Sequence, residues 1–152
     1  AYFVVIGEVF NRQKKYYKSL LNLCNELSVD NIKFISGVSD VRPLLSRFDV
    51  YVCSSNFESS PISVWEAMSM GKPIISTDVG DVPLYVENNK NGFIVDVGDA
   101  FSLAEKLKLL SKNRKLCQKF GCLSRDISIK KLDISYCLMR HISIYNNIVK
   151  KK

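Results

Sequence analysis

Short apolar runs that stop at glycine or small polar residues alternate with segments of helical periodicity, and that alternation restricts the fold more than any other feature of this chain. "YFVVIG" (Tyr2–Gly7) and "IKFISG" (Ile32–Gly37) have the pattern of strands buried in a parallel sheet. Between them Tyr17, Leu20, Leu21, Cys24 and Leu27 fall at helical spacing and predict a helix over roughly residues 13–27. "SDVRPLLSRF" predicts a short helix with Pro43 near its first turn. Three more strands are expected at Asp49–Ser55, Pro73–Asp78 and Phe93–Asp96. Further helices are expected over Pro61–Met70, around Leu84–Glu87, after the cap Asp99, from Asn113 to Arg125, and from Ile129 to Val149. In the last of these Ile134, Cys137, Leu138, Ile142, Tyr145, Ile148 and Val149 form one apolar stripe. The fold class is therefore α/β, a parallel sheet with helices on both faces. Ligands of such sheets bind beyond the carboxyl ends of the strands, here the Gly7 loop, "SGVSD", "SSNFESSP" and "STDVGD".

The chain's 152 residues make one domain's worth, enough for a core without disulfide staples. Five cysteines (Cys24, Cys53, Cys117, Cys122, Cys137) form an odd set without a Cys-x-x-Cys pair or metal-ligand spacing. They read as reduced, mostly buried thiols, and the expected location is the cytoplasm. A net charge of +7 favours an anionic partner. The lysines are scattered rather than gathered into a stripe with interleaved aromatics, so nucleic acid is not the expected one. Peripheral attachment to an anionic inner membrane through the Lys-rich end is a secondary expectation. The chain opens on "AYFVVIG" with no initiator Met, which suggests a piece of something longer.

The chemistry gathers in "SSNFESSPISVWEAMSMGKPIISTDVG" (Ser54–Gly80). Ser60 has the character of an N-cap and Pro61 of a first helical residue. The free N–H groups from Ile62 and Ser63 onward, with the positive end of the helix dipole, then offer an anion site at the strand ends. Glu66, flanked by Trp65, Ala67 and Met68, is expected to need a partner or to shift its pKa. Helical side chains lean toward the N-terminus, so Glu66 is directed back to the same place. A phosphate there would lie near two carboxylates, Glu58 and Glu66, that suit hydroxyls on either side of a diphosphate. The competing account pairs Glu66 with a nearby lysine such as Lys72 and leaves Glu58 an ordinary loop charge.

"FESSPISVWEAMSMGKPIISTDVGDVP" resembles the donor-binding signature of retaining glycosyltransferases of family 4, which have the GT-B architecture. That signature is a Glu, seven residues, then Glu-Ala-Met-x-x-Gly-x-Pro, matched by Glu58, Glu66, Ala67, Met68, Gly71 and Pro73. The flanking "KFISGVSDVRPLLSRFDVYVCSS" and "TDVGDVPLYVENNKNGFIVD" are similar to the family in order and spacing, and the likeness runs from about Tyr2 to the end. The resemblance implies a Rossmann-like domain, residues 1–152, that binds a nucleotide-sugar donor, with uridine ranked before guanosine and no metal. It implies that Glu58 meets the donor sugar at the reacting centre. By the same likeness Ser59, Ser60, Pro61, Ile62 and Ser63 contact sugar and phosphates, Glu66 binds the ribose, and Ile35, Ser36, Gly37 and Val38 hold the base. The acceptor, a glycan or a lipid-linked sugar, belongs to an amino-terminal domain absent from this sequence. The family's phosphate-binding Arg and Lys are absent with it, and so is the first strand of the sheet. The 152 residues alone are expected to be inactive.

"GEVFNR" lacks the second Gly usual after the first strand, Asp81 replaces a frequent Gly, and Leu84 stands where an acid is common. Asp78 is expected to brace its loop, Trp65 to pack, and the only histidine, His141, to lie beside the last stripe without a catalytic part. Two other readings stay open. One is a non-catalytic nucleotide-sugar-binding or scaffold module; the other is a sugar-nucleotide enzyme such as an epimerase, which lacks its usual His and acid residues here.

Overall fold

The structure, a computed structural model, describes residues 1–149 of the chain. Strands β1 (Phe3–Ile6), β2 (Ile32–Ile35), β3 (Tyr51–Cys53), β4 (Ile74–Thr77) and β5 (Gly92–Val95) fall where the apolar runs place them. The helices are α1 (Lys14–Glu26), α2 (Arg42–Leu45), α3 (Ile62–Ser69), α4 (Ala100–Ser111), α5 (Arg114–Ile127) and α6 (Ile134–Val149). All strand pairing is parallel, as strand–helix alternation requires. It forms a two-stranded sheet, β1–β2, and a three-stranded sheet in the order β3–β4–β5. The fold is Rossmann-like.

The chain divides into two compact units, Ala1–Val41 and Arg42–Lys152. In the first, β1 and β2 run in register from Phe3 opposite Ile32 to Ile6 opposite Ile35. Helix α1 lays Tyr17 edge-on to Phe34, with ring centroids 5.5 Å apart. A hollow of about 350 Å³ opens at the carboxyl ends of the two strands, between Glu8, Tyr16, Tyr17, Phe34 and Ser36.

The second unit holds the core. All four residues of the central strand β4 are buried, and Ile75 packs with Phe93, Leu110 and Phe120 in one apolar cluster. Phe93 of β5 and Phe120 of α5 meet with centroids 5.5 Å apart. Leu103, Leu107, Leu116 and Cys117 close over them, so α4 and α5 are held by the apolar stripes that periodicity exposes. Asp99 caps α4, its carboxylate accepting from the Ser102 N–H at 2.9 Å. A hydrogen bond with the Ser102 side chain, and then this main-chain one, hold the Asp99 carboxyl below its ordinary pKa. Asn113 caps α5 in the same way, on Leu116 N–H at 2.9 Å.

Several expectations are corrected. Helix α3 begins at Ile62 with Pro61 as N-cap, one residue later than expected, and Ser60 does not cap it. The short helix expected at Leu84–Glu87 is a 3-10 turn at Val82–Leu84, because Pro83 sets the turn one step earlier. The expected helix from Ile129 is broken: Ser128–Leu132 continues α5 as a π-helical turn, and Asp133 is extended (ψ 138°). Its carboxylate then accepts from Ser135 N–H at 2.9 Å to start α6. The stripe of α6 is not a core face, since Ile134, Leu138, Ile142, Tyr145 and Ile148 are all exposed. His141 is exposed there too, 2.7 Å from the Cys137 carbonyl oxygen. Only Cys53 of the five free thiols is fully buried, and Cys122 is exposed.

Candidate donor site

The site is built on the carboxyl edge of β3–β4. Tyr51, Cys53 and Ser55 lie two apart along β3 and its continuation, so their side chains share one face. The loop that follows brings Glu58 back toward Ser55, whose hydroxyl donates to Glu58 Oε1 at 2.8 Å. Ser55 is itself held. The buried Thr77 hydroxyl at the end of β4 donates to its carbonyl at 2.6 Å, and the Cys53 thiol lies 3.7 Å from its Oγ.

The main chain of the Glu58 loop is fixed from a second side. Asp81 N–H donates to the Ser59 carbonyl at 3.0 Å. Gly80, with φ +52°, lies so close that a Cβ on it would stand 2.1 Å from Ser59 O and 2.8 Å from Glu58 O. Only glycine fits both the left-handed backbone and that contact. The brace expected of Asp78 is therefore supplied by Thr77, Gly80 and Asp81 instead, and Asp78 is exposed. One carboxylate oxygen of Asp81 is buried without a hydrogen bond.

Helix α3 starts under this loop. Its first internal bond is Val64 N–H to the Pro61 carbonyl at 2.9 Å, leaving the N–H groups of Ile62 and Ser63 without a main-chain acceptor. Val64, Ala67 and Met68 are buried and fix the helix against the sheet. The helix ends in a Schellman turn, with Gly71 N–H on Met68 O and Lys72 N–H on Ala67 O, closed by Gly71 at φ +68°. Ser60 accepts from the Trp65 indole N–H at 3.1 Å, and Trp65 stands edge-on to Tyr85 at 5.0 Å.

Glu66 differs from expectation. Its neighbours Ala67 and Met68 are buried, whereas Glu66 itself is exposed, so no buried charge demands compensation. Lys72 is not its partner: the ammonium donates to the Ser46 carbonyl at 2.8 Å, and partial burial lowers its pKa. What links the two glutamates is Tyr51. Burial raises the pKa of its phenol; a hydrogen bond with the Ser63 side chain opposes that shift, and the charges of Glu66 and Glu58 add to it. Tyr51, Ser55 and Thr77 were not singled out from sequence, where residues in or beside apolar strands read as packing. The period-2 run Tyr51, Cys53, Ser55 leading to Glu58 was the available signal.

Thus the second unit places Glu58, Ser59, Ser60, Pro61, Ile62 and Ser63 at one helix start, with Glu66 further along the same helix. Ile35, Ser36, Gly37 and Val38 lie in the first unit, at the carboxyl end of β2. There Ile35 O accepts from Gly7 N–H at 3.0 Å, and the Glu8 side chain lies against Gly37. Among the described residues no group of three or more His, Cys, Asp and Glu is placed to hold a metal ion.

Comparison with known proteins gives this arrangement a family. The family model described as glycosyl transferases group 1 matches residues 1–125. N-acetyl-alpha-D-glucosaminyl L-malate synthase of Bacillus anthracis is 26% identical over 133 residues, 87% of this chain and 35% of its own. UDP-Gal:alpha-D-GlcNAc-diphosphoundecaprenol alpha-1,3-galactosyltransferase of Escherichia coli is 28% identical over 145 residues, 87% of this chain and 36% of its own. The crystal structure of Anabaena HepE in complex with UDP superposes with a TM-score of 0.90 at 20% identity, over 95% of this chain and 40% of that one. The chain spans about a third of the length of these curated relatives. On the family match and the fold together, the chain belongs to the glycosyl transferases of group 1.

Proposed function

We propose that the chain carries the nucleotide-sugar donor site of a retaining glycosyltransferase that passes a sugar to a glycan or lipid-linked acceptor. The observation that carries the reading is a helix start whose Ile62 and Ser63 N–H groups are free, with the Glu58 loop leading into it and Glu66 further along the same helix, both carboxylates near enough to act on Tyr51. Two carboxylates repel a diphosphate, so they suit the hydroxyls attached to it, while the N–H groups and helix dipole suit the diphosphate. In this assignment Glu58 meets the donor sugar, residues 59–63 the sugar and phosphates, and Glu66 the ribose. Residues 35–38 hold the base, and uridine ranks first because the E. coli relative is named for UDP-Gal and HepE is seen with UDP.

Neutralisation of the leaving diphosphate by N–H groups and by basic side chains from outside this sequence calls for no metal. The acceptor is bound by a further domain, without which the 152 residues do not catalyse. The diphosphoundecaprenol acceptor named for the E. coli relative favours work at the inner face of a membrane. No helix among the described residues is long and apolar enough to cross one, so peripheral attachment, helped by the net charge of +7, is the fitting mode.

The test is a calorimetric titration of the full-length chain with UDP and GDP, wild type beside Glu66→Ala. Loss of the ribose hydrogen bonds should weaken binding by roughly 1–3 kcal/mol. A folded protein that binds neither nucleotide would leave Glu66 an exposed helix carboxylate and bring the scaffold reading forward.

A further inference from the structure

The Glu58 loop is held twice, and the two holds do different things. Gly80 and Asp81 grip the main chain at Glu58 and Ser59, through the 3.0 Å bond from Asp81 N–H and the close approach of Gly80. Neither touches the Glu58 carboxylate. The carboxylate is met by the Ser55 hydroxyl, at 2.8 Å on Oε1, and that hydroxyl has one proton to give. Its direction is settled from below, because the Cys53 thiol approaches Ser55 Oγ as a weak donor at 3.7 Å. An oxygen that accepts from the thiol has its proton left for Glu58.

The placement of Ser55 is settled in turn by Thr77. This residue is only 3% exposed, and its hydroxyl proton is shared between the carbonyls of Ser55 at 2.6 Å and Cys53 at 3.4 Å. Those carbonyls belong to the last paired residue of β3, Cys53 opposite Ser76, and to Ser55 two residues beyond it. Thr77 thus ties the segment leaving β3 to the buried strand β4. A line of hydroxyls runs from the core to an acidic side chain at the sheet's edge: Thr77, Ser55, Glu58.

We infer that Ser55 is a positioning residue whose hydroxyl, held by Thr77, fixes the Glu58 carboxylate in the orientation that meets the donor sugar. The inference rests on the assignment of Glu58 to the sugar. A carboxylate at a loop has several rotamers. One hydrogen bond from an anchored donor removes most of them before the ligand arrives, leaving Oε2 for a sugar hydroxyl. The loop's main chain does not depend on this bond, since the Gly80–Asp81 grip survives its loss. Removing the Ser55 hydroxyl therefore affects sugar recognition and leaves diphosphate and ribose recognition alone.

Calorimetry on the full-length chain tests this with UDP against UDP-glucose and GDP against GDP-mannose, comparing wild type, Ser55→Ala, Ser55→Thr, Thr77→Val and Glu58→Gln. For the pair that binds, Ser55→Ala should raise the Kd of the nucleotide sugar about tenfold while the nucleoside diphosphate stays within about twofold, the scale of a hydrogen bond to a charged group. Ser55→Thr should restore the sugar's Kd, Thr77→Val should move it as Ser55→Ala does, and Glu58→Gln should move it at least as far. Equal weakening of both ligands by Ser55→Ala would make Ser55 a structural prop and overturn the inference. A shift in Glu58→Gln with none in Ser55→Ala or Thr77→Val would overturn it while the donor-site reading stands. No shift in Glu58→Gln would overturn both. Should Ser55→Ala not fold, as judged by a thermal melt, Thr77→Val decides on the same readout.

Discussion

Gly80→Ala is the substitution that most directly probes how the donor loop is held. The backbone at Gly80 has φ +52°, and a Cβ there would stand 2.1 Å from Ser59 O, 2.7 Å from Ser59 C and 2.8 Å from Glu58 O. Two costs follow. The left-handed conformation costs an alanine about 1–2 kcal/mol, and the overlap with a main-chain oxygen cannot be relieved by a rotamer. Contact at an ordinary separation requires Ser59 to retreat by about 1 Å, a displacement that can cost on the order of 100-fold in turnover when it moves a group at the reacting centre. Retreat would also stretch the 3.0 Å bond from Asp81 N–H.

The expected result is thus lopsided: a stability loss of about 1–3 kcal/mol by urea titration and, with Glu58 at the donor sugar as proposed, a much larger fall in kcat/KM for sugar transfer, assayed with the acceptor domain present. Gly71→Ala is the control. Gly71 has a similar φ of +68°, but its Cβ would find nothing nearer than 3.6 Å, so it should lose stability to a comparable degree with little change in kcat/KM. Equal kcat/KM losses in the two variants would refute the reasoning, and so would a Gly80→Ala protein that transfers sugar like wild type.

Two further outcomes follow from the core. Phe120→Ala removes a ring that is 1% exposed and packed on Phe93, Ile75 and Leu110, so a urea midpoint should report a loss of about 3–5 kcal/mol. Burial raises the pKa of Cys117, so less of it is thiolate at a given pH; timed alkylation at neutral pH should modify the exposed Cys122 first and reach Cys117 only slowly, and the reverse order would contradict this packing.

Much of this architecture is legible in the chain because its punctuation is chemical. Gly7, Gly37, Pro61 and Gly71 stand at or just beyond the ends of elements, and at Gly71, with φ +68°, the backbone favours glycine. The corrections share a cause: periodicity tells which residues lie on one side of an element, not what lies opposite. The stripe of α6 is regular at helical spacing, yet among the described residues it stays exposed. Glu66 has apolar neighbours in sequence, but the helix turns about 100° per residue and leaves it exposed while Ala67 and Met68 are buried.

The same rule, applied with the strand period, leads to what was missed. Counting back from Glu58 in loop residues ends at a strand that looks like packing, whereas counting back in twos from Ser55 gives Cys53 and Tyr51 on one face. Tyr51 feels both glutamates through its phenol, and Ser55 holds one of them. A glutamate motif read from sequence names the groups that face a ligand. The hydroxyls that aim them sit at the ends of apolar strands, where their polarity is satisfied by main-chain carbonyls near the end of the ladder. For Thr77 those carbonyls belong to Ser55 and Cys53, so the end of the β3–β4 ladder at Cys53 opposite Ser76 is also the point from which the site is braced.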